Sequence, residues 1–162
     1  MVSAGHSESG TIFQSLKSEL EAVQRFVSLL KTEQTLLSSG DTEELPELLE
    51  QKNHIANQLS QYAEHRNSLL SAQGLGSDRS GIETWCAKHP KEMKAAETWE
   101  EIITLAGEAR ELNRVNGELI ALRMQYNTNA LEALRGGNNS LNLYGPDGQS
   151  TFLGSRRIND AV

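Results

Sequence analysis

Cys86 and His89 are spaced to share one face of a short helix, where a thiolate and an imidazole could together hold a zinc ion. Such a site needs further ligands, and the chain has no second cysteine and no matching ligand pair to supply them. His54 and His65 fall on nearly the same face of another helical stretch but about three turns apart, too far for one ion. Carboxylates are plentiful at Glu43, Glu44, Glu47 and Glu50, and again at Glu97, Glu100 and Glu101. They gather where helices begin, and there the positive end of the helix dipole favours them without any acid–base role. The chain holds no glycine-rich phosphate loop, no GxSxG, no HExxH and no Glu-x-x-His pair of the kind that builds a metal site in a helical bundle. These residues point to a protein that is not an enzyme, with no catalytic residue, metal, cofactor or small-molecule substrate.

The remaining chemistry is recognition. From Gly136 and Gly137 onward, helical patterning gives way to Gly, Asn and Ser, with Leu141, Leu143, Tyr144, Phe152, Leu153 and Ile158 strung through it. A segment this polar cannot form a core of its own, so its apolar residues sit either on the rest of the molecule or on a partner that orders them on binding. Residues 136–162 are thus expected to be a flexible C-terminal arm that rests on the bundle or on a partner. Tyr144-Gly145-Pro146-Asp147-Gly148 is a turn by composition, and an exposed Tyr beside a turn makes a good anchor.

The elements that would position this surface are helices. Residues 1–10 are small and polar and read as a disordered tip. Phe13, Leu16, Leu20, Val23, Val27, Leu30, Gln34 and Leu37 then recur in alternating steps of three and four, a heptad seam for a helix over about 11–38. Ala22, Phe26, Leu29 and Leu36 broaden that stripe, and Ser38, Ser39 and Gly40 stop it. A second helix, about 45–73, opens with Pro46 in its first turn, after an Asp41/Glu44 capping pair. Its seam is Leu45, Leu48, Lys52, Ile55, Leu59, Tyr62, Arg66 and Leu69. Lys52 and Arg66 on that seam either lay their stems over apolar surface with the charges in water, or pair with acidic residues across it and fix the register. The short connection makes the first two helices an antiparallel hairpin.

After the loop Gly74–Gly81, a Ser80/Glu83 capping box predicts a short helix at 81–89, ended by Pro90, with Trp85 plugging one end of the bundle. The last helix, about 93–135, carries Ile102, Leu105, Ala109, Leu112, Asn116, Leu119, Arg123, Tyr126 and Ala130 on its seam. Polar residues accumulate toward its end, which leaves Leu119, Leu122, Tyr126, Leu131 and Leu134 short of partners and, with Leu141 and Leu143, available to a partner helix. The fold class is all-α: an elongated antiparallel three-helix bundle or coiled coil, with a short extra helix and the C-terminal arm.

Bulk composition agrees. Only 37% of the 162 residues are hydrophobic and 5% aromatic, enough for narrow seams rather than a thick core. A net charge of -7 disfavours nucleic acid and anionic membrane surfaces. No apolar run is long enough to insert into a membrane, the N-terminus lacks a secretory signal, and the lone Cys86 asks for no oxidising compartment, so a cytoplasmic protein is expected.

The segment Leu112-Asn113-Arg114-Val115-Asn116-Gly117-Glu118-Leu119-Ile120, followed by Asn129, Leu131, Leu134 and Leu143-Tyr144-Gly145-Pro146-Asp147-Gly148-Gln149, resembles the FlgN family of flagellar export chaperones. Asn113, Asn116, Gly117, Tyr144, Gly145 and Gly148 carry the motif. Lys52 and Arg66 stand at the family's usual positions, and the likeness in pattern covers nearly the whole chain. The resemblance implies a cytoplasmic helper of flagellar type III export. Its clients would be the C-terminal helical segments of the hook-filament junction (hook-associated) proteins, bound through the chaperone's C-terminal region and kept unassembled. The other implied partners are the flagellar export gate and associated export components, with Tyr144 as the gate-docking residue. Heptads alone would also suit a coiled-coil adaptor that oligomerises.

Overall fold

The computed structural model describes the backbone of residues 4–141 and the side chains of residues 10–136. Four helices make an all-α bundle with no strand among the described residues: α1 (Ala4–Ser39), α2 (Leu45–Ala72), α3 (Asp78–Lys88) and α4 (Met93–Leu141). By contact the chain divides into two compact units, Met1–Ile120 and Ala121–Val162.

In the first unit the expected α1 seam forms the core, whereas α2 enters it through Leu70 rather than the expected Leu69, which is only partly buried, and α4 adds Ala95 and Trp99 to its expected Ile102 and Ala109. Leu16, Val23, Val27 and Leu30 of α1 pack with Leu70 of α2, Ile82 and Trp85 of α3, and Ala95, Trp99, Ile102 and Ala109 of α4. Ile12 joins this cluster although the seam was expected to begin at Phe13, which is only partly buried. α2 runs antiparallel to α1: Lys52 meets Glu33 and, further along α2, Arg66 meets Glu19 further back on α1. α4 runs parallel to α1, since Gln24 bonds Glu101 and, one heptad on, Lys31 pairs with Glu108.

Helix ends follow local chemistry. Gly40 closes α1 at φ 88°, its N–H donating to Leu36 O. Gly74 closes α2 at φ 70°, and Leu75 N–H reaches back to Leu70 O, a glycine C-cap that satisfies carbonyls otherwise left without donors. Three expectations need correction. Neither capping device forms: Asp41 accepts from the Glu43 N–H, Glu83 is taken by Arg79 at 2.7 Å, and α3 starts at Asp78 rather than Gly81. Residues 4–10 are helical, where a disordered tip was expected. α4 runs through Gly136 and Gly137 to Leu141 instead of stopping near Arg135. Lengthening an existing helix avoids the nucleation cost, so glycines at about 1 kcal/mol each do not suffice to end it.

α3 is held against α2 by an unusual residue. Asp78 sits at φ 56°, where a non-glycine residue is strained. Its N–H donates to Asn67 Oδ1 at 2.9 Å, while Asn67 Nδ2 and Arg66 Nη2 donate to its Oδ1 at 3.0 and 3.2 Å. Gly81 packs so tightly that a Cβ there would lie 1.9 Å from Gly76 O. Trp85 is fully buried, as a plugging residue must be, and stacks on His89 with ring centroids 4.5 Å apart.

Candidate functional site

The candidate site is α4 from Asn113 onward, and its two parts differ in kind. In the first unit, Asn116 is buried and makes a junction. Its Nδ2 donates to Leu30 O at 2.9 Å and to Glu33 Oε2 at 2.8 Å. Glu33, equally buried, also accepts from Lys52 Nζ at 3.0 and 3.3 Å. One carboxylate therefore joins α1, α2 and α4. Asn113 and Gly117, its neighbours in the motif, are exposed, and a Cβ at Gly117 would meet nothing within 4 Å. Arg114 spans the outer face of α4, bonding Glu111 at 2.7 Å and Glu118 at 2.6 Å. The Arg114 hydrogen bond holds the Glu111 carboxyl below the usual carboxylate range, and the guanidinium is pushed up in turn, chiefly by Glu111. Leu119 departs from the expectation that it lacks partners: with Val115 it is half-buried and lines a shallow groove with Gln34, Thr35, Ser38 and Ser39 of α1.

Lys52 and Arg66 settle the alternatives at the seam: both pair with acids across it, and neither simply snorkels. Arg66, itself buried, bonds Glu19 and Asp78, and its guanidinium lies 4.9 Å from the Trp99 ring centroid. Glu19 and Glu33 are residues that sequence reasoning missed. Their signal was present: each follows a buried Leu by three residues, and the two are spaced as Arg66 and Lys52 are.

The second unit presents a different surface. Leu122, Tyr126, Leu131 and Leu134 are 63%, 76%, 61% and 68% exposed. Met124 at 66%, also exposed, was not anticipated as part of this surface, nor was Ile120 at the end of the first unit. At about 100° per residue, Leu122, Tyr126, Ala130, Leu134, Leu131 and Met124 sweep rather more than half of the helix circumference, while Gln125, Thr128, Asn129, Glu132 and Arg135 occupy the rest. Arg123 and Asn127 lie within the apolar arc, and Arg123 has an interaction of its own. Leu141 is the last residue of α4; its side chain, together with Leu143, Tyr144, Gly145 and Gly148, lies outside the described residues.

The groups that could have done chemistry are engaged otherwise. His89 Nδ1 is 2.8 Å from Trp85 O, and Cys86 is half-buried beside it. Burial pushes the Cys86 thiol up, with Glu100 and Glu83 acting in the same direction, so it is a poor thiolate. His54 lines an open groove between α1 and α2 with Arg25, Leu29, Glu47, Glu50 and Ile55. Among the described residues no group of three or more His, Cys, Asp or Glu side chains could hold a metal ion, and no helix is long and apolar enough to cross a membrane. What α4 offers beyond Ile120 is exposed apolar contact area on a polar-backed helix.

Known proteins bear on this arrangement. No solved structure matches the chain. A relative from Proteus mirabilis, the flagella synthesis protein FlgN, is 31% identical over 149 residues, spanning 90% of this chain and 94% of its own length. The model of the family described as FlgN protein matches residues 8–151, which include both the buried junction at Asn116 and the exposed half of α4. The chain belongs to the FlgN family of flagellar proteins.

Proposed function

We propose that this protein is a cytoplasmic flagellar export chaperone. It binds the C-terminal helical segments of hook-filament junction proteins, keeps them unassembled and delivers them to the type III export apparatus. The observation that carries this reading is the run of exposed apolar side chains at Leu122, Tyr126, Leu131 and Leu134, on a segment whose opposite face is polar. A client helix that assembles through an apolar stripe must have that stripe covered before export, and a second amphipathic helix is the natural cover. Membership of a flagellar family restricts which helices are available as clients.

Residues 136–162 belong to the same capture surface in this reading, with Leu141 and Leu143 as client contacts and Tyr144 as the residue that docks on the export gate. The test is binding of a purified C-terminal helical segment of a hook-filament junction protein, followed by calorimetry. Deleting residues 136–162, or introducing Leu131→Asp with Leu134→Asp, abolishes capture while helicity and melting stay close to wild type. Retained binding by both variants, or a deletion that unfolds the bundle, overturns the proposal. Sedimentation separates it from an oligomerising adaptor: an obligate oligomer in which residues 136–162 are dispensable favours the adaptor. A Tyr144→Ala variant that captures client but fails in export assigns Tyr144 to the gate, whereas loss of capture moves it to the client surface.

A further inference from the structure

The buried residues of the first unit repeat with unusual regularity. Leu16, Val23, Leu30 and Leu37 on α1 are successive heptad positions and all buried; Ala95, Ile102, Ala109 and Asn116 on α4 are likewise. On α2, Leu48, Ile55, Tyr62 and Leu69 follow one another at the same interval, all buried or half-buried. Sliding one helix past another by a heptad therefore lays apolar residue on apolar residue again. Hydrophobic packing alone discriminates poorly between the native alignment and its neighbours.

The charged residues break that degeneracy. Glu19 and Glu33 lie two heptads apart on α1, and Arg66 and Lys52 lie two heptads apart on α2, so in the antiparallel hairpin both pairs close in the same alignment. A slip of one heptad sets Glu33 opposite Leu59 or Leu45, Lys52 opposite Gly40 or Phe26, and Arg66 opposite Phe26 or Ile12. Every pair is then lost, and carboxylates and cations are buried without partners, which is severely unfavourable. A slip of two heptads recovers one pair at most, Glu33 with Arg66 or Glu19 with Lys52. Asn116 extends the device to α4, because Leu30 O and Glu33 Oε2 meet it at one height only.

We propose that Glu19–Arg66 and Glu33–Lys52, read together with Asn116, form a two-point register key that selects one alignment of the three long helices from a set that the apolar seams leave nearly equivalent. The pairs are kept for uniqueness rather than for strength, because a buried ion pair is generally no more stabilising than apolar residues of similar volume.

The test uses the full chain in a Cys86→Ser background, spin-labelled through Ser28→Cys on α1 and Asn57→Cys on α2, both exposed positions at matching heights of the hairpin. Pulsed dipolar spectroscopy reads their separation. The otherwise native chain gives one narrow distance. The fourfold variant Glu19→Leu, Glu33→Leu, Lys52→Leu, Arg66→Leu keeps its helicity and melts no lower, but shows added populations displaced along the helix axis by about 10 Å, one heptad of rise. The exchange variant Glu19→Arg with Arg66→Glu, carrying Asp78→Asn so that the exchanged carboxylate at position 66 meets no like charge, keeps both pairs in the native alignment and restores the single distance. The proposal is overturned if the fourfold variant retains one native distance, if it fails to fold, or if the exchange variant shows the displaced populations.

Discussion

α4 leads two lives. Up to Ile120 it contributes Trp99, Ile102 and Ala109 to the core and ends in the buried Asn116 junction; from Ala121 to Gly136 most of its side chains are exposed, and its largest apolar ones are more than half open to solvent. The same helical backbone thus carries residues packed into a core and residues open to solvent. What separates them is partner supply rather than the character of their large apolar residues: Leu122, Leu131 and Leu134 are as apolar as Ile102 and Leu112.

That contrast can be broken most forcefully at Arg66. Arg66→Met leaves Glu19 buried without its cation and Asp78 without one of its donors, and the expected loss is about 3–5 kcal/mol in urea unfolding. Gly81→Ala drives a methyl group into the Gly76 carbonyl and is expected to cost about 1–3 kcal/mol, measured in the same way. Asn67→Ala removes two of the three hydrogen bonds that hold Asp78 in its left-handed conformation; an expected loss of about 1–2 kcal/mol should accompany faster amide exchange in α3. Leu131→Asp with Leu134→Asp, in the second unit, is expected to change stability by no more than about 0.5 kcal/mol per site. A large loss there would erase the distinction between the two halves.

The smallest effect concerns Cys86. Its thiol is raised by burial in the folded chain, so alkylation of the native protein should show a pH midpoint above that of the urea-unfolded chain. The linked stability has a definite sign: the folded state holds this proton more firmly, so the contribution is full below the unfolded thiol's pKa and is lost as pH rises through the folded one.

Helix number, order and seams were legible from the sequence because heptad spacing is a direct consequence of helical geometry: Leu16, Val23, Val27 and Leu30 are core residues in fact as in pattern. So were the exposed Leu122, Tyr126, Leu131 and Leu134, since a seam interrupted by Asn116 and Arg123 loses the continuity that packing requires. Helix ends were less legible. Ser80 with Glu83 has the form of a cap, yet Arg79 competes for Glu83 on the same turn, and the Asn67–Asp78 contact, which depends on the tertiary fold, sets the true start. The buried acids were the main omission. Glu19 and Glu33 look like solvated helix residues until α2 is laid antiparallel against α1, at which point the matched spacing of Lys52 and Arg66 identifies their partners.

Both tryptophans of the chain, Trp85 and Trp99, are buried in the first unit, whereas Tyr126 stands 76% exposed in the second. The two indoles therefore report on the first unit alone, while the tyrosine signal combines Tyr62 of α2 with Tyr126 and Tyr144 beyond Ile120, so a Tyr62→Phe background isolates the second unit. Indole emission should stay blue-shifted and unmoved while a ligand occupies Ala121 onward, and tyrosine signals should respond; a red shift in the indole band would announce that the bundle itself has opened.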